Sequence, residues 1–579
     1  MERGLFRLSA AVAGLAVVAS LIITAAVPAT GEVAGYEKLL TEHQVTINET
    51  TSDAGFVHPG VGLSAADLRS AQAMVRTGEE PWASYFETMT RTGFASTTFR
   101  AQNSKSAAEP DKAADRNFTH VGLRNRETND SFGALTQALL WVMTGNEVYR
   151  KNAIQALRTW ADMDPNGYRY FPDAHIHTGH PLYQFLMAAE IIRATDPLAD
   201  DTPGTQDGYN VVWSGEDDER LLTNFAKPLL ATFLYSNEKW MNQHNFGLFG
   251  RIATAIYADD AEGYAKGVEW FTVNSTFDGY SNGSMAKQLP LIEAADPINP
   301  YGHDFVQVRE MGRDQAHGET NIDNFAGLAR MVEVQGTKVA PVEGTVSTGE
   351  DAVSAYDFLD RRLLKGANQF YRFMLGSWIP WVDERGEGWN GTISQSYRGR
   401  NYNMISVAEL YNEYAIARGV DVKTEAPWLA KLYERLDGTT SYYGAGIRPF
   451  WEPGDKNPEY WVAFPEELKG TEPASVEESK PSFGPRHTLQ LDDRSELVTE
   501  DGWTFTRAHV DEQGTTTVVT RLMWGTSRMG LRVRTDGPAK LEVLDKEPAN
   551  KLNKYEEPPV TIATIEVPDT GGEWRYVTY

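Results

Sequence analysis

Residues 131–162 read SFGALTQALLWVMTGNEVYRKNAIQALRTWAD, and this stretch decides the fold class. Its apolar residues recur at three- and four-residue spacing, which predicts one amphipathic helix from Ser131 to Gly145 and a second from Val148. Only a short loop separates the two helices. Long helices joined by such a loop fold back on each other as an antiparallel hairpin.

The same pattern continues outward from about residue 60 to about 440. A helix is predicted from Ser64, which offers an N-cap side chain with Asp67 three residues on, to Gly78. Six further segments have the helical period, at 180–195, 217–237, 245–260, 321–336, 357–376 and 401–419. Many helix hairpins in one chain predict a mainly α fold, an α/α toroid formed by a ring of helix pairs, over residues 30–469. No fixed repeat length is visible, which argues against a regular solenoid.

The C-terminal part of the chain has a different pattern. Residues 470–485 are rich in Pro, Ser and Glu and read as a linker. Residues 486–579 contain short segments of alternating polarity, such as WTFTRAHV and VTIATIEV, separated by Gly, Asp and Pro. Period-two alternation with such breaks predicts a small antiparallel β-sandwich.

The first 29 residues have the features of a secretory signal peptide. A basic start is followed by an apolar run and by small residues before residue 30. The expected location is therefore extracellular. The alternative is an uncleaved anchor, since Leu8 to Val27 is just long enough to span a bilayer. No later segment is apolar enough to do so, and we expect no stable membrane insertion once the leader is removed.

Composition narrows the classes of partner. The 579 residues include 54 Lys plus Arg against 80 Asp plus Glu, a net charge of -26, which argues against nucleic acid because phosphate binding depends on surplus cations. The chain has no Cys, so disulfides, zinc-thiolate sites and thiol nucleophiles are excluded. An acidic polymer remains possible as a partner where positive charge is concentrated locally. The oligomeric state is not indicated.

The densest polar segment is REMGRDQAH at residues 309–317. On one continuous helix its polar side chains share about a third of the circumference with two later asparagines: Glu310, Arg313, Asp314, His317, Asn321 and Asn324. Further along the helix the same face becomes apolar at Leu328. This pattern is typical of a helix whose first turns line a water-filled cavity and whose later turns pack into a core. The alternative is a solvated face with local pairs such as Glu310 with Arg313 or Asp314 with His317.

Two more polar clusters lie beside predicted helices. WMNQHNFG at 240–247 brings His244 and Asn245 to a helix N-terminus, where free N–H groups favour a bound carboxylate. The alternative there is simple N-capping by an asparagine, Asn242 or Asn245. SQSYRGRNYN at 394–403 carries three further candidates, with surface stacking of Arg on Tyr as the alternative: Tyr397, Arg400 and Tyr402.

The segment HIHTGH invites a metal interpretation. Its His175, His177 and His180 are spaced i, i+2, i+5, which matches no zinc signature, so we expect no metal.

Together these groups suit β-elimination in a 4-linked uronate chain. The C5 proton of a uronate is weakly acidic until the adjacent C6 carboxylate is neutralised, and Asn, His, Glu and Arg side chains supply the hydrogen bonds and charge to neutralise it. A Tyr or His then removes the proton, and a Tyr returns one to the leaving oxygen. Tyr397, Tyr402 and His244 are the candidate bases. The reaction requires no cofactor.

Several segments resemble, in chain order, the alginate lyase-domain polysaccharide lyases: FVHPGVGLSAADL, QALLWVMTG, AAEIIRAT, NFG, EMGRDQAH and RLLKGANQFYRFMLG. EMGRDQAH is the most specific of them. The resemblance implies an α/α toroid that acts on uronate polymers. It places the family's functional residues on Asn245, Glu310, Arg313 and His317, and its Tyr and partner Arg on Tyr397 or Tyr402 and Arg400. The C-terminal PDTGGEW and its neighbours resemble family-six-like carbohydrate-binding modules.

The leading hypothesis is thus a secreted polysaccharide lyase with an anionic polysaccharide as substrate. A glycoside hydrolase on the same fold is the first alternative and requires two carboxylates across a cleft, such as Glu310 with Asp314 or Asp383 with Glu384. A non-catalytic glycan-binding protein is the second. The sequence favours elimination because a hydrolase has no substrate carboxylate to neutralise with Arg, His and Asn.

Overall fold

The computed structural model describes residues 35–198, 207–313, 315–374, 379–384, 406–434, 450–453 and 457–473. In the C-terminal part it describes 488–490, 495–500, 503–508, 519–520, 530–544, 560–573 and 575–578. Helices dominate the first part and short antiparallel strand pairs the second. The mainly α character predicted from the helical period is confirmed.

The described residues form sixteen α-helices, which are numbered in chain order. They are α1 Ala65–Thr77, α2 Trp82–Thr90, α3 Val121–Thr144, α4 Glu147–Ala161, α5 Ala174–His177, α6 Gly179–Arg193, α7 Gly215–Leu221, α8 Lys227–Thr232, α9 Asn242–Tyr257, α10 Ala261–Thr272, α11 Met285–Gln288, α12 Gln315–Val334, α13 Phe358–Met374, α14 Ser406–Asn412, α15 Val422–Glu425 and α16 Pro427–Tyr433.

Helix α1 begins and ends as its sequence predicts. The Ser64 side chain accepts from the Asp67 N–H, the Asp67 side chain accepts from the Ser64 N–H, and Gly78 closes the helix with φ 74°. Both signals are local, since a capping box satisfies free N–H groups within one turn and glycine takes the left-handed conformation at little cost.

The hairpin of α3 and α4 is confirmed, but α3 is longer than predicted. It ends at Thr144 with Gly145 at φ 73°, and it begins at Val121 rather than Ser131. Its first turns have no apolar period, because two of the positions that they bury are carboxyls, Glu127 and Asp130. The Asp130 carboxylate accepts hydrogen bonds from the Asn103 N–H and from the Trp160 indole at 3.0 and 3.1 Å.

A row of long helices positions the candidate site. Helix α3 packs against α4 and α6, α6 against α9, α9 against α10 and α12, and α12 against α13. Helices α6 and α9 approach closely through glycines: a Cβ on Gly250 would lie 2.9 Å from the Gly179 carbonyl oxygen. The N-terminal part of α9 is thereby held against α6 on one side and α12 on another.

Two segments predicted as single helices are interrupted. Residues 217–237 form α7, a π-helical turn at Leu222–Ala226 and then α8. Pro228 lies in the first turn of α8, and its missing N–H breaks the regular ladder of the preceding turn. In 401–419, α14 likewise passes into a π-helical turn at Glu413–Ala417.

The strands are short and all pair antiparallel. In the helical part β1 Thr50–Thr51 pairs with β2 Val57–His58, and β3 Leu291–Ile292 with β4 Phe305–Val306. The C-terminal part pairs β5 with β8, β6 with β7, β9 with β12 and β10 with β11. These strands are β5 Thr488–Gln490, β6 Ser495–Glu500, β7 Trp503–Ala508, β8 Val519–Thr520, β9 Gly530–Val533, β10 Ala539–Leu544, β11 Thr561–Val567 and β12 Arg575–Thr578.

The predicted alternation from 503 onward therefore corresponds to antiparallel strands. Of the predicted linker, residues 470–473 are described, and the Gly470 N–H donates to the Glu80 carbonyl oxygen at 2.9 Å.

Within the described ranges, no helix combines the length and the apolar character needed to cross a bilayer. The predicted leader at residues 1–29 lies outside those ranges.

Candidate active site

Helix α9 begins inside the predicted polar cluster, after an unusual backbone conformation. Met241 directly precedes it with φ 45° and ψ -118°, a region that residues other than glycine rarely occupy. Met241 is fully buried, and its N–H donates to the Ser281 carbonyl oxygen at 2.7 Å. Strain of this kind persists only where the surroundings fix it, and it is common at functional sites.

The carboxylate of Glu310 lies at the N-terminus of α9. Its Oε2 atom accepts from the Asn242 N–H at 3.0 Å. Capping by an asparagine is wrong, since Asn242 and Asn245 lie inside the helix and neither caps it. The helix end was expected to favour a bound carboxylate, and the carboxylate that occupies it is the protein's own.

Asn321 of α12 connects Glu310 to α9 and α11. Its Nδ2 donates to Glu310 Oε2 at 3.0 Å and to Gln288 Oε1 at 3.3 Å, while its Oδ1 accepts from Asn245 Nδ2 at 3.1 Å. All four side chains are fully buried. The Asn245 Oδ1 atom has no hydrogen-bond partner among the described residues, which leaves one acceptor open within the group.

Arg313 and His317 form the more exposed side of this group. Arg313 Nη1 donates to Glu310 Oε1 at 3.2 Å, and the Arg313 side chain is 23% exposed whereas that of Glu310 is 0% exposed. His317 is half-buried, and its charge acts on Glu310. The Glu310–Arg313 pair therefore exists, but the solvated helix face proposed as the alternative is wrong because the carboxylate is buried.

Burial raises the pKa of the Glu310 carboxyl above its usual value. The charges of His317 and Arg313 and the hydrogen bond from the Asn242 N–H act in the opposite direction without cancelling the effect of burial. A carboxyl with a raised pKa beside a partly exposed guanidinium is a typical feature of a functional site.

The segment at 309–317 is not one continuous helix, contrary to prediction. Arg309–Gly312 form a 3-10 helix, and α12 begins at Gln315. Asp314 lies outside the described residues. Asn321 and Asn324, which the pattern assigned to the same polar face, are both fully buried.

The side chain of His244 lies on a different side of α9 from that of Asn245. Its Nε2 atom bonds to the Trp270 carbonyl oxygen at 3.0 Å, on the side of α9 that faces α10. Because a carbonyl only accepts, the imidazole carries its proton on Nε2. Burial lowers the pKa of His244 to about 4, so the ring is neutral at neutral pH. The described hydrogen bond of this candidate base leads away from Glu310.

The remaining candidates of the later loop lie outside the described residues: Tyr397, Arg400 and Tyr402. For the hydrolase alternative, Glu384 accepts from Gln307 Nε2 at 2.7 Å and forms an ion pair with Arg309. That carboxylate is therefore already engaged within the protein.

The histidines of HIHTGH have separate surroundings. His175 lies between the Tyr170 hydroxyl at 2.8 Å and Gln243 Oε1 at 3.0 Å. Burial, aided by the charge of Arg124, lowers the pKa of His177 to about 4. The ring of His180 packs on Phe249. No group of three or more His, Cys, Asp or Glu placed to hold a metal ion occurs in the described part of the chain.

Sequence reasoning missed two parts of this group, Gln288 and the conformation of Met241. Gln288 lies on the short helix α11, 33 residues before Asn321, and nothing in its local sequence suggests that the two amides meet. Met241 is an ordinary apolar residue in a polar segment. The sequence signal for its unusual conformation is weak: the residues before α9 lack a regular pattern, and the first residues of α9 are polar.

No family model matches the chain, and no curated protein matches it. The resemblance carried by EMGRDQAH and its companion segments therefore stays a prediction.

Proposed function

We propose that the protein is a polysaccharide lyase that cleaves a uronate-containing polysaccharide, alginate or a related polyuronate, by β-elimination. One observation carries this proposal. A buried network of amides and one carboxyl, formed by Asn245, Asn321 and Glu310, ends in the partly exposed Arg313.

The chemistry of these groups fits a uronate. Arg313 presents a cation towards solvent while Glu310 holds it from behind at 3.2 Å, so the guanidinium is positioned before substrate arrives. A guanidinium binds a carboxylate through paired hydrogen bonds, which withdraws negative charge from C6 and makes the C5 proton easier to remove. His317, on the same half-buried side, adds a second cationic or hydrogen-bonding group.

The finer architecture belongs to the same proposal. The succession of contacts from α3 through α6 and α9 to α12, with α4 and α10 beside that row, supports an α/α toroid over residues 30–469. Antiparallel pairs such as β10 with β11 support a C-terminal β-sandwich. Carbohydrate binding by this part is proposed from the resemblance of PDTGGEW and its neighbours. Secretion, proposed from the leader-like residues 1–29, places such an enzyme where polymeric substrate occurs.

The test is release of unsaturated uronate ends. The protein is mixed separately with alginate, glucuronan and pectate, and absorbance in the ultraviolet band of the unsaturated product is followed together with reducing ends. New absorbance supports elimination, reducing ends without it support hydrolysis, and binding without either supports a glycan-binding protein.

Asn245→Ala gives the sharpest variant. We expect it to lose turnover while remaining folded, because it removes the amide that links α9 to Asn321. Asn152→Ala is the matched control, since Asn152 is also a buried amide that bonds to a glutamine, Gln137 at 3.0 Å, but lies on α4. Full activity in Asn245→Ala would remove Asn245 from the site.

A further inference from the structure

A second cleft lies on the flank of α9 opposite to Asn245. At 100° per residue, Gly247 and Arg251 project from the far side of the helix relative to Asn242 and Asn245. The cleft is partly open to solvent and lies between α9, α10 and the segment after α8.

Two cations line this cleft, Arg251 and Lys239. Arg251 donates to the Leu234 carbonyl oxygen at 3.2 Å, and its guanidinium lies 4.5 Å from the ring centre of Trp270. The Lys239 ammonium lies 5.2 Å from the ring of Tyr170 and 5.7 Å from that of Tyr235. Within the described part of the chain neither forms an ion pair, and the carboxylate that acts on Arg251 through space is that of Asp260.

A polar donor in the cleft is held in place by a chain of hydrogen bonds. The Tyr170 hydroxyl bonds to His175 Nδ1, and His175 Nε2 bonds to Gln243 Oε1. Since the hydroxyl donates to Nδ1, the imidazole donates from Nε2 to the amide oxygen, and the amide N–H groups of Gln243 remain available as donors. Gln243, Lys239 and Arg251 all line the same cleft.

Two exposed aromatic rings lie beside Lys239, next to the residues that line the cleft. Tyr235 is 59% exposed and Tyr170 is 48% exposed, which is unusual for large rings. A ring that is wet at its hydroxyl and apolar on its faces suits a sugar, which has polar edges and an apolar face. The lysine between the two rings adds charge where a sugar would stack.

We propose that this cleft binds the carboxylate of one uronate unit of the polysaccharide, away from the bond that is cleaved. Arg251 and Lys239 supply the positive charge, Gln243 donates a hydrogen bond, and Tyr170 and Tyr235 stack on the sugar. This inference rests on the proposed function, because it takes its ligand from the same polymer. It adds a binding subsite on the flank of α9 that the elimination chemistry does not use.

The experiment measures binding of an alginate hexasaccharide and of its carboxyl-reduced, neutral counterpart by calorimetry, in the Asn245→Ala background to prevent turnover. Lys239→Gln and Arg251→Gln are each expected to raise the Kd of the acidic hexasaccharide about tenfold, the loss of one charge-assisted contact. The neutral counterpart should bind weakly and equally to all variants. If Arg251→Gln does not fold, the test of the cleft relies on Lys239→Gln, because Lys239 is only half-buried.

Lys266→Gln is the matched control. Its ammonium lies over the same Trp270 ring at 4.9 Å, but Lys266 does not line the cleft. We expect its Kd to stay within about twofold of the background protein, as for an exposed charge without a specific contact. If both cleft variants bind the acidic hexasaccharide as this control does, the cleft proposal is overturned.

The two proposals fail separately. Elimination by the wild-type protein together with unchanged binding in the cleft variants would overturn the subsite alone. Carboxylate-dependent binding that is lost in Lys239→Gln, in a wild-type protein that releases no unsaturated ends from any polyuronate, would overturn the lyase and keep the subsite.

Discussion

Two buried ionic networks lie near the two ends of helix α12, and they differ in how far protein encloses the cation. Near its N-terminus Glu310 bonds to Arg313, whose side chain is partly exposed. Near its C-terminus Arg330 is buried and donates to Glu409 Oε1 at 2.8 Å, to Glu459 Oε1 and to the Gly62 carbonyl oxygen. The second cation is enclosed by protein, whereas the first has access to solvent and, among the described residues, pairs with Glu310 alone.

The difference is visible in the pKa values of two equally buried carboxyls. Burial acts to raise the pKa of Glu459, but the charge and hydrogen bond of Arg330 outweigh it and hold that pKa below its usual value. At Glu310 burial prevails over Arg313 and His317, and the pKa is raised. The closed network holds a second carboxyl, Glu409, whose pKa burial raises despite Arg330. The enclosed Arg330 therefore outweighs burial at one of its two carboxyls, whereas Arg313 and His317 together do not outweigh burial at Glu310.

Replacing Arg330 gives the largest expected effect. Arg330→Met leaves Glu409 and Glu459 buried without their cation, and loss of one partner from a buried pair costs about 3–5 kcal/mol. We expect little folded protein, measured by urea unfolding followed by circular dichroism. Wild-type stability in this variant would show that the closed network is not structural.

Arg313→Ala should separate activity from stability. Its pair is partly exposed, so we expect the free energy of unfolding to fall by only about 1–2 kcal/mol. Turnover of alginate should fall by about a hundredfold or more, the usual cost of losing a preorganised charge. Arg361→Ala is the control, because Arg361 also forms a partly exposed ion pair, with Glu425, away from the site. Equal activity in the two variants would contradict the assignment.

Glu310→Gln tests the raised pKa directly. A carboxyl whose pKa is raised on folding contributes stability below its ordinary pKa, and this stability is lost as the pH rises through the raised value. The glutamine does not titrate, so the unfolding free energy of the variant should decline less than that of the wild type between acid and neutral pH. A wild-type slope in Glu310→Gln would contradict the raised pKa.

Tyr183→Phe should have the smallest effect. The Tyr183 hydroxyl donates to Glu459 Oε1 at 2.8 Å, and its loss leaves the carboxylate paired with Arg330. We expect a loss of about 1 kcal/mol in unfolding free energy, the value of one ordinary hydrogen bond. Unchanged turnover on alginate would agree with a purely structural network, and a large loss of turnover would contradict it.

Much of the helical fold was predictable because its signals are local. The capping box of Ser64 and Asp67 and the terminating Gly145 act within a few residues and appear where expected. The predictions failed where a tertiary contact overrides periodicity. The early turns of α3 bury the carboxyls of Glu127 and Asp130 alongside Leu123, and their helical pattern is therefore hidden.

The candidate site was predictable as a set of residues but not as an arrangement. The types and spacing in EMGRDQAH and NQHNFG indicated that Asn245, Glu310 and Arg313 belong together, and the structure joins them through Asn321. His244 is one residue from Asn245 yet lies on another flank of α9, because successive side chains on a helix differ by about 100°. The 3-10 turn at 309–312, which no pattern predicted, precedes Arg313 and α12.

The sequence by itself determined that the chain is mainly helical, acidic and free of cysteine, and which polar segments stand out from the apolar periodicity. Only the tertiary structure decided that Glu310 caps α9, that Asn245 meets an asparagine 76 positions later, and that Arg330 is enclosed while Arg313 is not. The reason is physical. Periodicity and capping depend on neighbours within a turn or two, whereas burial, charge compensation and pKa depend on groups that the fold brings together from distant parts of the chain.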